Sequence, residues 1–338
     1  MIKRVLAAIL FVLTLVLAYR LLAYFSGGSL LPVLGLIAAI PPRHWLGLGV
    51  LTICFYLLDW VRFRSVLAVL GQRLAAPYGL QLTCVSYFVT CLTPSAELHT
   101  PAMVYMLRRR GIPVPAALAA SMTKSIYMTL WICVTSYACL ALDRTIALPP
   151  ALRASLPFLT LPLLGLAALL AGLAFFPKPL AARCRRMVRN ARPGGLKDKL
   201  LSGLAHTAES VSAIVRSGDP QHWVCHLASL AFILMYVAIG WYLAALFGFT
   251  MSFGHALTVF STSLMVAYLA PVPGAIGVTE IMTSYMLDPR FTPQGMAISL
   301  ALRLLCWYLV TLPGGLILAA HALKAGPGAL SGAGARHD

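Results

Sequence analysis

Charged side chains are scarce in this sequence. Of its 338 residues only 10% are charged and 60% are hydrophobic, and the mean hydropathy is +0.86. Soluble domains carry about 25% charged residues, so this composition excludes an ordinary soluble domain. The apolar runs are continuous rather than alternating, which excludes a transmembrane β-barrel. The sequence therefore predicts an all-α, polytopic membrane protein.

Acidic residues are the scarcest charged class. The chain has nine of them against 26 basic residues, for a net charge of +17. In a soluble protein this balance would suggest a nucleic-acid partner. No basic motif interleaved with aromatic residues supports that partner, and we expect no nucleic acid. Basic cytoplasmic loops of a membrane protein explain the charge better.

Sequence patterns for metal, cofactor and nucleotide binding are also lacking. The eight cysteines show no CxxC spacing, and nearly all lie in apolar runs, so we expect neither disulfides nor thiolate ligands. His222 and His226 have the spacing of a ligand pair on one helix face, but no third ligand is apparent. There is no P-loop, no GxGxxG and no Ser-His-Asp arrangement. We therefore expect no metal and no cofactor.

The apolar runs predict about six full spans within a single membrane domain, residues 1–323. Shorter stretches at 30–40 and 200–216 are expected to lie along the membrane surface. A disordered tail is expected at 324–338. The six predicted spans are 5–25, 44–61, 116–142, 156–176, 223–249 and 296–323, the last broken near Pro313.

The basic residues predict the orientation. In this topology 19 of the 26 lie in cytoplasmic segments and four lie outside, which places both termini in the cytoplasm and the protein in the inner cell membrane. Residues 177–221 form the largest basic segment. It can bind anionic lipid or simply enforce the topology, and the sequence favours neither interpretation.

Two short segments interrupt the apolar runs, TPSAE at 93–97 and PVPGAIGVTE at 271–280. Proline and glycine oppose a continuous helix, and irregular backbone at membrane depth is tolerated where it lines a cavity. The first segment would enter the membrane from the cytoplasm and the second from outside. This predicts two oppositely oriented re-entrant hairpins and suggests an inverted repeat with a site near the midplane.

Each interrupted segment ends in a glutamate, and a cation follows within the next span. Lys124 follows Glu97 and Arg303 follows Glu280, after 27 and 23 residues. Because an isolated charge in the bilayer is costly, we expect each glutamate to pair with its cation in a substrate-binding site. Alternatively, each glutamate caps the half-helix that begins there. The two roles are compatible.

The remaining residues of the interrupted segments are expected to shape a cavity: Pro94, Pro271, Pro273, Gly274 and Gly277. Half-helix N-termini attract anions, so a phosphate-bearing lipid headgroup fits such a cavity, and the glutamates suit an ammonium group or a proton.

A further acidic residue, Asp59, lies at the predicted cytoplasmic end of its span, close to Arg62. We expect these two side chains to form a surface ion pair.

These motifs resemble those of a known family. TPSAE, then LRRRGIP at 107–113, then a span with an inner cation is similar to the first signature of the lysylphosphatidylglycerol synthase/flippase membrane-domain family. PVPGAIGVTE is similar to the second, and the last span resembles the family's C-terminal end in Arg303, Tyr308 and 313–315. The resemblance covers roughly 5–323. Residues 96–99 depart from it, since glycine is frequent there, and Lys124 stands where arginine is common.

The resemblance implies an integral membrane protein that moves or handles a phospholipid or other polar lipid. In some members this domain precedes a soluble aminoacyl-transferase domain, for which the chain leaves no room before Asp338. We therefore expect a flippase and no synthase activity. Two alternatives remain: a membrane transferase acting on a lipid-linked substrate with Glu280 as general base, and a non-catalytic partner of a lipid-modifying enzyme.

Overall fold

A computed structural model describes residues 29–93, 99–143, 209–270 and 272–324, with isolated positions inside 20–24, 154–172 and 206–207. Within these ranges the chain is helical and contains no strand. The helices are α1 (Leu31–Ala38), α2 (Pro42–Val69), α3 (Ala76–Leu92), α4 (Thr100–Arg108), α5 (Val114–Leu142), α6 (209–215), α7 (Pro220–Leu246), α8 (Phe253–Leu269), α9 (Val278–Leu287), α10 (Pro293–Arg303) and α11 (Leu309–Lys324).

Proline sets the start of most of these helices. A proline occupies the first or second position of α1 to α5, α7 and α10, where its missing N–H costs no intrahelical bond. Polar side chains cap two helices: Asp219 accepts from the N–H of Gln221 at 2.8 Å before α7, which also begins with proline, and Ser252 accepts from the N–H of His255 at 3.2 Å before α8.

Within the described residues, four helices are long and apolar enough to cross a membrane: Pro42–Val69, Val114–Leu142, Pro220–Leu246 and Pro293–His321. At 1.5 Å per residue they exceed the roughly 30 Å hydrocarbon core. They correspond to the predicted spans 44–61, 116–142, 223–249 and 296–323. The predicted spans 5–25 and 156–176, most of the basic segment 177–221, and nearly all of the tail 324–338 lie outside the described residues.

The last long helix does not break near Pro313, contrary to the prediction. It continues through Pro313 in α11, and the irregular part is instead a π-helical turn at Leu304–Tyr308. The glycines after Pro313 serve close helix packing. A Cβ on Gly314 would lie 2.1 Å from the carbonyl oxygen of Cys84 in α3.

The described helices form two matching halves. Helices α2, α3, α4 and α5 have 28, 17, 9 and 29 residues. Helices α7, α8, α9 and the α10–α11 unit, measured to His321, have 27, 17, 10 and 29. The contacts match as well: α3 packs on α11 as α8 packs on α5, and α4 packs on α5 as α9 packs on α10. The chain therefore contains an internal structural repeat.

The two halves run in opposite directions. Their first helices, α2 and α7, form an extensive contact at the centre of the protein. His44 near the start of α2 bonds Tyr242 near the end of α7 at 2.9 Å. Phe55 stacks on Phe232 midway, with ring centroids 4.1 Å apart. Because the start of one helix meets the end of the other, the equivalent helices are antiparallel.

Two apolar clusters stabilise this arrangement. The larger one joins α2, α7, α8, α9 and α10, and α1 packs on it through the buried Val33 and Ile37. The smaller one joins α4 and α5 with the ends of neighbouring helices, and Val211 and Ile214 of α6 are buried in it. The polar site lies where the two halves meet.

Candidate functional site

The chain is irregular between α8 and α9, as the sequence predicts. Residues Pro273–Ala275 form one 3₁₀ turn, and Gly274 and Gly277 adopt φ values of +56° and +85°. These left-handed conformations favour glycine. Pro271 lies outside the described residues. The interruption separates α8 from α9 and leaves the N-terminus of α9 buried in the protein.

Glu280 both caps α9 and pairs with Arg303. Its carboxylate is 1% exposed, and one oxygen, Oε2, accepts the backbone N–H of Gly277 at 2.8 Å. The other oxygen, Oε1, accepts Nε of Arg303 at 3.3 Å and the hydroxyl of Tyr308 at 3.1 Å. The predicted ion pair is therefore confirmed, and the capping role coexists with it.

Arg303, at the end of α10, contacts both the irregular segment and the π-helical turn that follows α10. Its Nη2 donates to the carbonyl of Gly274, and its guanidinium lies 4.7 Å from the ring centroid of Trp307 and 5.5 Å from that of Tyr308. Nη1 is buried and has no hydrogen-bond partner among the described residues. One donor of this cation thus remains available for a ligand.

The second charged centre differs from the predicted one. Lys124 donates to Oδ2 of Asp59 at 2.8 Å, and Oδ1 of Asp59 accepts from Arg62 at 2.9 Å. Among the described residues Lys124 therefore pairs with Asp59, whereas the sequence spacing predicted a pair with Glu97. Glu97 and Pro94 lie outside the described residues.

The prediction of a surface pair between Asp59 and Arg62 is wrong. Asp59 is 3% exposed and Arg62 is 1% exposed. The reason is that α2 continues to Val69, well beyond the predicted end of its span, and carries both residues into the protein. Arg62 also donates to the hydroxyl of Ser229 at 3.0 Å and to the carbonyl of Lys124 at 3.3 Å, so it links α2, α7 and α5.

The repeat places the two cations at equivalent positions. Lys124 is the eleventh residue of α5, and Arg303 is the eleventh residue of α10. Their described counter-ions come from different elements, Asp59 from α2 and Glu280 from α9. Sequence spacing from the interrupted segments identified Glu280, whereas the signal for Asp59 was only a carboxylate inside an apolar run.

Both centres line one cavity of about 60 Å³ between the two halves. Asp59, Arg62 and Lys124 lie on one wall, and Gly274 and Arg303 on another. Tyr87, Tyr268 and Trp307 add aromatic surface, and Ser86, Thr90 and Ser125 add hydroxyl groups. At about 10–15 Å³ per water, the cavity has room for a few water molecules.

The charges around the cavity do not cancel among the described residues. Three cations, Lys124, Arg62 and Arg303, face two carboxylates, Asp59 and Glu280. Buried cations in excess favour an anionic ligand. The site is therefore suited to a phosphate or carboxylate group.

Comparison with known families agrees with these features. The family described as the lysylphosphatidylglycerol synthase TM region matches residues 5–314, which includes both halves and both charged centres. This chain belongs to that family. None of the curated proteins and none of the solved structures matches it. As a member of the lysylphosphatidylglycerol synthase TM region family with several apolar helices, it is a multi-pass membrane protein linked to lipid handling.

Proposed function

We propose that this protein is a flippase that carries the phosphate-bearing headgroup of a polar lipid across the inner cell membrane. The observation that carries the proposal is the buried cavity between two antiparallel halves, with three cations and two carboxylates around it. A headgroup phosphate is an anion that Arg and Lys bind with charge-assisted hydrogen bonds.

The donors for such a phosphate come from both halves. Among the described residues, Lys124 donates one hydrogen bond, to Asp59, and an ammonium group carries three N–H donors. Arg303 has the partnerless Nη1. A phosphate bound by both residues would sit at the interface of the repeats, where transporters with inverted repeats commonly hold their substrates.

The arrangement in the membrane is part of the proposal. The α3–α4 and α8–α9 hairpins re-enter the bilayer from opposite sides, the first from the cytoplasm, and both termini are cytoplasmic. Pro273 and Glu280 shape the half-site at the start of α9. The basic segment 177–221 holds anionic lipid at the cytoplasmic surface.

The cavity is smaller than a headgroup site. Sites for drug-sized ligands have volumes of about 300–1,000 Å³, several times the roughly 60 Å³ found here. Transport of a headgroup through it therefore requires the halves to separate locally.

We propose no catalytic step. Both carboxylate oxygens of Glu280 already accept hydrogen bonds, from Gly277, Arg303 and Tyr308. These bonds hold the Glu280 carboxylate in place, and we assign it a binding role.

Purified protein in liposomes tests the proposal. The leaflet exchange of fluorescent anionic, zwitterionic and aminoacylated phospholipids is measured for the wild type, Glu280→Gln and Asp143→Asn. Asp143 is a matched control because it is also a carboxylate with an ion-pair partner, His255 at 2.9 Å, and it does not line the cavity. We expect headgroup-dependent exchange that Glu280→Gln abolishes and Asp143→Asn retains. Exchange equal to that of empty liposomes for every headgroup would refute flipping of these lipids.

A further inference from the structure

Buried hydroxyl groups lie between α9 and α10. Thr283 and Ser284 of α9 and Ser299 of α10 are each no more than 1% exposed. None of the three hydroxyl oxygens has a hydrogen-bond partner among the described residues. We call this contact between the two helices, with Gly295, the α9–α10 seam.

The α9–α10 seam runs from the charged pair to the 288–292 connection. Thr283 and Ser284 follow Glu280 by one helical turn, and Ser299 precedes Arg303 by one turn. The helices touch there, since a Cβ on Gly295 would lie 3.1 Å from the hydroxyl oxygen of Ser284. The seam is therefore closed, although its lining is polar.

The equivalent contact in the other half, between α4 and α5, has a different lining. The buried side chains of α4 are Met103, Met106 and Leu107, all apolar. Ala120 precedes Lys124 by four residues, as Ser299 precedes Arg303, and it is fully buried. Two partnerless hydroxyls, on Ser121 and Thr123, lie at this level of α5, whereas no such hydroxyl is found on α4 among the described residues. The α4–α5 and α9–α10 contacts therefore match in helix arrangement but differ in the polarity of their linings.

This difference predicts which contact opens. A buried hydroxyl without a partner pays a desolvation cost that water removes. Opening the α9–α10 seam would hydrate Thr283, Ser284 and Ser299, although α9 also buries Met282 and Met286. The buried side chains of α4 are all apolar, so opening the α4–α5 contact would expose them to water and hydrate no hydroxyl of α4, which is less favourable.

We propose that the α9–α10 seam opens to water and is the route by which the headgroup passes between the cavity and the 288–292 end of the protein, while the α4–α5 contact stays closed. The headgroup part of this inference rests on the proposed function. The hydration part follows from the hydroxyl groups alone.

Cysteine reactivity tests the seam directly. Ser299→Cys and Ala120→Cys are introduced separately into the full chain, and a charged, water-soluble thiol reagent is applied in detergent. Mass spectrometry of peptides locates the label, so that the native cysteines do not interfere, and the buried Cys306 is an internal reference. Labelling is repeated with short-chain phosphatidylglycerol. Ser284→Cys replaces Ser299→Cys if the latter does not fold.

We expect the cysteine at 299 to react at least tenfold faster than the one at 120, and phosphatidylglycerol to slow it several-fold. Equal, slow reaction at both positions would overturn the proposal that the α9–α10 seam opens to water. Fast reaction at 299 that phosphatidylglycerol does not change would overturn the headgroup route and leave only hydration. If phosphatidylglycerol slows labelling at 299 but the protein shows no leaflet exchange in liposomes, the seam binds the headgroup and the proposed flipping is refuted.

Discussion

Lys124 and Arg303 occupy the same position in equivalent helices and line the same cavity, although they belong to opposite halves of the chain. Each is buried, and each is held by a carboxylate, at 2.8 Å and 3.3 Å. This relationship makes the two charged centres parts of one site.

Asp59 holds two cations, so its loss should destabilise the protein more than the loss of Lys124. Asp59→Asn leaves Lys124 and Arg62 buried without their shared counter-ion, which should cost about 3–5 kcal/mol. Lys124→Met leaves the Asp59–Arg62 pair intact and should cost much less. Thermal unfolding in detergent measures both, and equal destabilisation would contradict the shared role of Asp59.

Tyr308 supports Glu280 without carrying charge. Tyr308→Phe removes one neutral donor at 3.1 Å, which should cost about 1 kcal/mol in stability. Glu280→Gln leaves Arg303 buried without its carboxylate and should cost several times more. The two unfolding temperatures in one detergent check this order, which a larger loss for Tyr308→Phe would contradict.

Close packing of α3 on α11 requires glycine at 314. Gly314→Ala places a methyl group 2.1 Å from the backbone oxygen of Cys84, and a backbone atom moves away only if the helices separate. We expect a loss of several degrees in unfolding temperature. Gly49→Ala in α2 is the control, because its Cβ would meet no atom within 4 Å, and it should be neutral or stabilising.

Asp288 gives the 288–292 connection a dependence on pH. The backbone N–H of Arg290 donates to its carboxylate at 3.0 Å and lowers the pKa of Asp288. A lowered pKa in the folded state means that this stabilisation is present above the ordinary pKa of aspartate and is lost as pH falls through the folded value. Asp288→Asn should therefore reduce the unfolding temperature slightly at pH 7, and the difference from wild type should shrink as the pH falls below the ordinary aspartate pKa near 3.9. A difference that persists at the lower pH would argue against this origin.

The sequence predicted the second half-site better than the first. Proline, glycine and a glutamate in 271–280 determine both the interruption and the cap on α9, because these are local effects of the backbone. The pair with Arg303 followed from the cost of a lone buried charge. The partner of Lys124 did not follow, since Asp59 approaches it through the packing of α2 on α5, which no local pattern encodes.

The π-helical turn and the shared cavity could not be predicted from the sequence either. The turn at Leu304–Tyr308 sits between two regular helices and carries no proline or glycine, so no residue marks it. The cavity depends on how α2, α3, α5, α8 and α10 meet. Its lining residues come from both halves of the chain and meet only through tertiary packing, which local sequence patterns do not encode.

Binding of short-chain phosphatidylglycerol, measured by titration calorimetry in detergent, tests the single shared site most directly. Wild type is compared with Lys124→Gln, Arg303→Gln and the double variant, each confirmed as folded. We expect one lipid to bind in the cavity, apart from any lipid held at the basic segment 177–221. Each single variant should lose at least tenfold in affinity for the cavity site, and the double variant should bind no lipid there. Two independent cavity sites, or a single variant whose cavity site binds as tightly as that of the wild type, would contradict a headgroup site shared by the two centres.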